Sequence, residues 1–184
     1  MESLIRRRIN SLIKVTKNGK KALSTFQLDG DVQNVSFKIE PPAHADDIEK
    51  IKRWNLPQDY IEFLSITNGL FLFDTTIEGI PMGYTCEVYS IRKMIKEKEA
   101  LPKSFVNKVP ILHIRDVGDM YIDIEKYRLG KSYLTYPGIE ADQYFDFSFS
   151  KCSINIWWLE AMSFGISDNE VGQVGNQKLR IDID

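Results

Sequence analysis

The chain has 184 residues, of which 43% are hydrophobic and 27% are charged, proportions that are ordinary for a globular protein. A chain of this length favours one domain with a single core. No apolar run approaches the ~20 residues that a helix needs to cross a bilayer, so we expect no membrane span. The arginines at positions 6–8 are not followed by the apolar segment of a secretory signal, and we therefore expect a cytoplasmic protein.

Charge is distributed unevenly along the chain. Residues 1–21 carry seven Lys and Arg residues against Glu2 alone, a net charge of +6. Because the whole chain carries −2, residues 22–184 carry −8. An acidic body argues against nucleic-acid binding and is compatible with a basic protein partner.

The first predicted element is an amphipathic helix over residues 3–15, ended by the Thr-Lys-Asn-Gly sequence at 16–19. Its basic side is either a solvated face of a helix packed on the domain or a contact surface for a membrane or a nucleic acid. We assign residues 1–34 to this helix and a connector, and residues 35–184 to the main domain.

Residues 56–69 form the stretch around which the rest of the chain is arranged. Tyr60, Phe63, Leu64 and Thr67 follow the spacing of one helix face, with Glu62 on the outer side. Pro57 suits the first helical position. The pair Asn68-Gly69 is expected to end the helix with a left-handed residue.

The other predicted elements flank this helix. Upstream we expect a strand at 35–39, ended by Pro41-Pro42, and a helix from 46 to about 53. Downstream we expect strands at 70–73, 86–89, 110–114, 120–124 and 132–136, a hairpin or irregular loop at 75–85, and a short helix from residue 91. A closing helix at 153–164, with Trp157 or Trp158 in the core, and an edge strand at 179–183 complete the prediction.

These elements predict an α+β fold. It is a single domain with a largely antiparallel, twisted sheet and with helices packed on one face. In the strand at 120–124, Met120, Ile122 and Ile124 share one face while Tyr121 and Asp123, followed by Glu125, share the other. We therefore expect the second face of the sheet to contact water.

Several motifs occur in a fixed order between residues 35 and 162. They are the segment 37–43, the Leu-Pro-x-x-Tyr-x-x-Phe-Leu motif at 56–64, Asn68-Gly69, and the segments 86–90, 109–112 and 118–123. This set resembles the SUKH superfamily, named for the fungal cell-wall-assembly regulator and for related bacterial and viral proteins. The resemblance implies a structural role for Pro42, Leu56, Pro57, Tyr60, Phe63, Leu64, Asn68, Gly69 and Gly118.

The resemblance also implies a function. Bacterial members of the superfamily are typically immunity proteins, which bind and block a toxin domain that is often a nuclease and hence basic. The alternative is a regulatory scaffold like the fungal cell-wall-assembly regulators. Either function would be that of a binding protein without catalytic activity.

The residues themselves give little sign of catalysis or of a metal site. The conceivable thiol–imidazole pairs are Cys152 with His113 and Cys86 with His44, and neither cysteine has neighbours of the kind that lower a thiol pKa. No His or Cys spacing matches a zinc motif. We expect no enzyme activity, no cofactor and no metal, and we read His113 as a core or sheet-face histidine.

An acidic hairpin and the loop after it form the predicted partner-binding surface. Carboxylates would steer a basic partner, and Tyr121 and Tyr144 would act as anchors. The alternatives are that the acidic residues are merely solvated or that they hold a divalent ion. The full set is Asp116, Asp119, Tyr121, Asp123, Glu125, Glu140, Asp142, Tyr144 and Asp146.

Overall fold

A computed structural model describes residues 3–26, 32–77, 80–115, 118–131 and 133–135. The helices in these ranges are α1 (Leu4–Val15), α2 (Ala45–Lys52), α3 (Gln58–Ile66), α4 (Ile91–Ala100) and α5 (Ile124–Arg128), with a 3₁₀ turn at Lys103–Phe105. The strands are β1 (Leu23–Phe26), β2 (Val32–Ile39), β3 (Leu70–Ile77), β4 (Ile80–Val88), β5 (Lys108–Ile114), β6 (Gly118–Asp123) and β7 (Leu134–Thr135).

The seven strands in the described ranges form one sheet whose spatial order is the order of the chain, β1 to β7. Each pair of neighbours is antiparallel. Helices α2 and α3 connect β2 to β3, α4 connects β4 to β5, and α5 lies between β6 and β7. The predicted α+β fold with a largely antiparallel sheet is confirmed.

The core lies between the sheet and the helices on one of its faces. Tyr60, Phe63 and Leu64 of α3 are at most 1% exposed, and the two aromatic rings stack with their centroids 5.8 Å apart. The predicted apolar stripe of α3 is therefore confirmed for these three residues, whereas its fourth member, Thr67, lies beyond the end of the helix. The strands contribute alternate residues to the same core, namely Leu70, Leu72, Cys86, Val88, Leu112, Ile114, Met120 and Ile122.

Helix α1 packs on this core through Ile5 and Ile9, each 1% exposed. It contacts α3, where the Arg6 Nε atom lies 3.1 Å from the Glu62 Oε1 atom. After α1 the chain turns through Gly19, where an added Cβ would lie 2.7 Å from the carbonyl oxygen of Phe37. The prediction of a helix packed on the domain is confirmed, and the chain after it enters β1, which the sequence analysis did not identify.

The end of α3 differs from the prediction. Thr67 follows the helix in an extended conformation, with φ −149°, so the helix ends before the Asn-Gly pair is reached. Gly69 does have a positive φ, +123°, but its role is to let the backbone approach the end of β4 closely. Pro57 precedes the first helical residue rather than occupying that position.

Residues 67–69, which we call the Thr67–Gly69 junction, tie several elements together. The Thr67 Oγ1 atom lies 2.7 Å from the carbonyl oxygens of Glu40 and of Gly69, so its proton can be donated to either. The Asn68 N–H donates to the carbonyl of Pro41 at 2.7 Å. The Asn68 Oδ1 atom accepts the backbone N–H of Ile91 at 2.9 Å, which anchors the start of α4.

The end of β6 also departs from the prediction. The side chain of Asp123 accepts the backbone N–H of Lys126 at 3.0 Å and so starts α5. Ile124 and Glu125 therefore belong to a helix, and the predicted alternation of strand faces stops at Asp123. The predicted helix at 153–164, the two tryptophans within it and the predicted edge strand at 179–183 lie outside the described residues.

Membrane insertion of a helix finds no support in the described ranges. None of the helices there is both long enough and apolar enough to cross a bilayer.

The first prediction concerns the stripe of α3. Phe63→Ala should lower the free energy of unfolding by ~3–5 kcal/mol, because it removes a fully buried ring from the core. Ser65→Ala, at an exposed position of the same helix, should cost less than ~0.5 kcal/mol. Urea titration of the two variants measures the difference, and equal losses would show that this helix face does not face the core.

The second prediction isolates the close approach at Gly69. A Cβ on Gly69 would lie 3.1 Å from the carbonyl oxygen of Val88, whereas a Cβ on Gly118 would meet nothing within 4 Å. Both glycines have a positive φ, so Gly118→Ala carries the backbone strain without the contact. Gly69→Ala should therefore be about 1–3 kcal/mol less stable than Gly118→Ala in urea titration. Equal stability of the two variants would contradict this role of Gly69.

Candidate functional site

The face of the sheet opposite the helices, which we call the open face, carries a continuous row of polar and aromatic side chains. Its members are cross-strand partners on β2 to β6, and each follows or precedes a buried core residue on its own strand. We call this set the central row: Lys38, Phe71, Glu87, His113 and Asp119. The side chains of Lys38 and His113 are 56% and 48% exposed, so the row is open to solvent at these positions.

One end of the central row is aromatic. The ring of Phe71 lies 5.2 Å from the ring of Tyr84, centroid to centroid, and both residues are partly exposed. The Lys38 Nζ atom lies 4.9 Å from the centroid of Phe71 and 2.6 Å from the Glu40 Oε1 atom. This end therefore presents apolar ring surface together with a cation–π contact.

The other end of the central row is a cluster of hydrogen bonds centred on Asp119. The Tyr89 hydroxyl donates to the Asp119 Oδ1 atom at 2.7 Å, and the His113 Nδ1 atom lies 2.8 Å from the same oxygen. The Tyr121 hydroxyl lies at 3.5 Å from the Asp119 Oδ2 atom, the long limit for a hydrogen bond. The carboxylate of Asp119 is thus held in a fixed orientation by three neighbours.

The tyrosines of this cluster are buried, at 3% exposed for Tyr89 and 5% for Tyr121. Burial is the main cause that raises the pKa of Tyr89, and the hydrogen bond and negative charge of Asp119 raise it further. Burial likewise raises the pKa of Tyr121, followed by the charge of Asp119. Both phenols therefore stay protonated well above neutral pH and act as hydrogen-bond donors.

Helix α4 and the turn after it flank the cluster. Lys93 forms an ion pair with Glu87, and its Nζ atom lies 4.5 Å from the centroid of Tyr89. The Lys98 Nζ atom donates to the backbone carbonyls of Val106 and Lys108 at 2.6 Å each, and to that of Phe105 at 3.1 Å. These bonds hold the turn in place, with the ring of Phe105 5.8 Å from the ring of Tyr121.

The structure brings Asp119 and Tyr121 together and gives the other two described members of the predicted set, Asp123 and Glu125, different contacts. Asp123 is 9% exposed and caps α5, and Glu125 accepts a hydrogen bond from the Asn107 side chain at 3.1 Å. Tyr121 is already buried in the free chain, so it has little surface left for a partner to cover. Asp116, Glu140, Asp142, Tyr144 and Asp146 lie outside the described residues.

The structure adds residues that the sequence analysis did not select as a site. Phe71, Tyr84 and Glu87 join His113 on the open face, where His113 takes the sheet-face position, one of the two positions expected for it. Tyr84 shares the strand parity of buried Cys86, and its ring contact with Phe71 places it here. The other three residues share one signal, which is alternation with buried neighbours along short strands. That signal identifies the face of each residue, but only the register between strands shows that they form one row.

The described residues place no nucleophile beside His113. Cys86 is fully buried on the core side of β4, His44 is exposed before α2, and Cys152 lies outside the described ranges. A His–Asp pair orients the base in Ser and Cys hydrolases, but no hydroxyl or thiol of the described residues hydrogen-bonds the His113 Nε2 atom. Within the same ranges, His, Cys, Asp and Glu side chains nowhere form a group of three that could hold a metal ion.

Comparison with known proteins gives one relative of unassigned activity. The chain is 26% identical over 150 residues to the uncharacterized protein YobM of Bacillus subtilis (strain 168), a match that covers 76% of this chain and 80% of that protein. No family model matches the chain, and no solved structure matches it.

The third prediction follows from the burial of Tyr89. An unfolded phenol ionises near pH ~10, and the folded pKa of Tyr89 is higher, so its contribution to stability is complete below that pH and declines above it. Between about pH 9 and pH 11, the raised pKa of Tyr89 should lower the free energy of unfolding by about 1.4 kcal/mol. Tyr89→Phe removes this loss, so its unfolding free energy should fall by that much less than the wild type's.

Tyr60→Phe provides a second, independent case, because full burial raises the pKa of Tyr60 within the core. Lysine titration in the same pH range is common to all three proteins and cancels in the comparison. Urea titrations at both pH values measure the losses. Parallel losses in the wild type and in both variants would contradict the role of the buried phenols.

Proposed function

We propose that this chain is a non-enzymatic protein-binding domain that neutralises a bacterial toxin domain, and that the partner docks on the open face of the sheet. The observation that carries this proposal is the central row. It spans five strands, combines aromatic and charged side chains, and lies on the face of the sheet opposite the buried core.

Composition and charge support a basic partner. Residues 22–184 carry a net charge of −8, and the open face contributes the carboxylates of Glu87 and Asp119. Long-range attraction of this kind raises the rate of encounter with an oppositely charged protein. The resemblance to the SUKH superfamily supplies the class of partner, a toxin domain of the nuclease type.

The anchoring residues differ from those expected from the sequence. Covering a side chain contributes to the binding free energy only if part of its surface contacts water in the free protein, because that surface is then removed from water on binding. Phe71 and Tyr84 meet this condition, whereas Tyr121 does not. We therefore assign the anchoring role to the aromatic end of the central row and the steering role to its carboxylates.

The fourth prediction tests this division of roles with a basic toxin domain, to be sought among the products of the genes that neighbour the one for this chain. Phe71→Ala should raise the dissociation rate at least about tenfold, a loss of about 1.4 kcal/mol. Glu87→Gln should mainly slow association and reduce its dependence on salt, because steering falls with ionic strength. Association and dissociation rates of the purified toxin domain are measured at low and high salt.

Two variants distant from the open face serve as controls. Leu129→Ala removes an apolar side chain that is 61% exposed, and Glu49→Gln neutralises an exposed carboxylate on α2. Neither should change the binding rates. If no toxin domain found in this way binds the wild type, the proposed partner is wrong. If the control variants lose as much affinity as Phe71→Ala, the docking face is wrong.

A further inference from the structure

The hydrogen bond between His113 and Asp119 fixes where the proton of the imidazole lies. A carboxylate only accepts hydrogen bonds, and the Asp119 Oδ1 atom is 2.8 Å from the His113 Nδ1 atom. The Nδ1 atom must therefore carry the hydrogen, since two lone pairs at this distance would repel each other. A neutral imidazole has one N–H group, which leaves the Nε2 atom as an acceptor.

The free acceptor lies on the open face. The side chain of His113 is 48% exposed, and in the described part of the chain its Nε2 atom has no hydrogen-bond partner. The cross-strand neighbour of His113 on β4 is Glu87, and the next member of the central row is Phe71. An imidazole acceptor, a carboxylate and a ring face therefore follow one another across adjacent strands, about 5 Å apart per strand.

These three groups together select one kind of ligand. Glu87 pairs with Lys93 through its Oε2 atom, and its Oε1 atom has no hydrogen-bond partner among the described residues. Two neighbouring acceptors, the His113 Nε2 atom and this oxygen, favour a ligand that offers several N–H donors. Among cationic side chains, the guanidinium group has five N–H donors in one plane, is weakly hydrated and stacks on aromatic rings. The Lys38 Nζ atom already lies 4.9 Å from the centroid of Phe71, so an arginine would stack on the part of this partly exposed ring that Lys38 leaves uncovered.

We propose that His113, held as the Nδ1–H tautomer by Asp119, is a recognition residue that accepts a hydrogen bond at Nε2 from an arginine side chain of the partner. The Glu87 Oε1 atom, which the ion pair with Lys93 leaves without a partner among the described residues, is the adjacent second acceptor. The identification of the arginine as part of a docking partner rests on the proposed function, whereas the tautomer and the preference for a guanidinium group do not.

The tautomer is tested first, by nitrogen-15 NMR of the imidazole rings. The chain has two histidines, so His44, which is exposed before α2, is an internal reference. At a pH high enough that the nitrogen shifts of both rings no longer change, His113 should carry its hydrogen on Nδ1 and His44 should show the mixture of an unrestrained ring. Asp119→Asn should shift His113 toward that mixture, and an Nε2–H tautomer in the wild type would overturn the proposal.

The ligand class is tested next, with N-acetyl-arginine amide as the probe and its neutral citrulline analogue as the matched control. The arginine probe should move the His113 Nε2 resonance in a saturable way and by more than the His44 resonance. Citrulline and Glu87→Gln should each reduce the shift. Equal shifts at the two histidines, or equal effects of the two probes, would overturn the guanidinium preference.

Binding to the toxin domain separates this inference from the proposed function. His113→Phe should weaken toxin binding at least about tenfold, whereas His44→Phe should leave it unchanged. If the wild type binds the toxin and His113→Phe binds equally well, the recognition role fails while the proposed function stands. If the wild type binds no toxin but both NMR results are obtained, the proposed function fails and the guanidinium site stands.

Discussion

The fold depends on a constraint at the Thr67–Gly69 junction. Here the end of α3 meets the end of β2, the end of β4 and the start of α4 through hydrogen bonds and close backbone contacts. Gly69 lies so close to Val88 and Ser90 that no side chain fits there without movement. Thr67 and Asn68 bond to the end of β2 and the start of α4. The same contacts hold the end of α3 and the start of β3. The apolar stripe of α3 must therefore face the sheet to which β3 belongs.

The open face is a consequence of that placement. With α3 covering one side, the residues that alternate with the core in β2 to β6 must lie on the other side. The register then sets which of them become neighbours, and it brings His113 opposite both Glu87 and Asp119. The same pairing that stabilises the sheet thus builds a surface with an aromatic end and a hydrogen-bonded acidic end.

Local patterns in the sequence predicted most of the helices and the faces of the inner strands. The stripe of α3 was predictable because burial on one side of a helix imposes a fixed spacing. The burial of Tyr121 was not, since it depends on Phe105, which Lys98 holds in place through three backbone carbonyls. Asp123 illustrates the same limit: whether an aspartate continues a strand or caps a helix depends on the residues that follow and on their tertiary contacts.

The spatial order of the strands has a consequence for how the chain folds. Because each strand pairs with strands adjacent to it in the chain, the sheet can grow by one neighbouring strand at a time, and the longest connection to be closed is the segment 40–69 between β2 and β3. Helix α1 is different, since its contact with α3 joins Arg6 to Glu62, 56 positions along the chain. We expect the sheet and α3 to form the folding nucleus, and α1 to dock after the rate-limiting step.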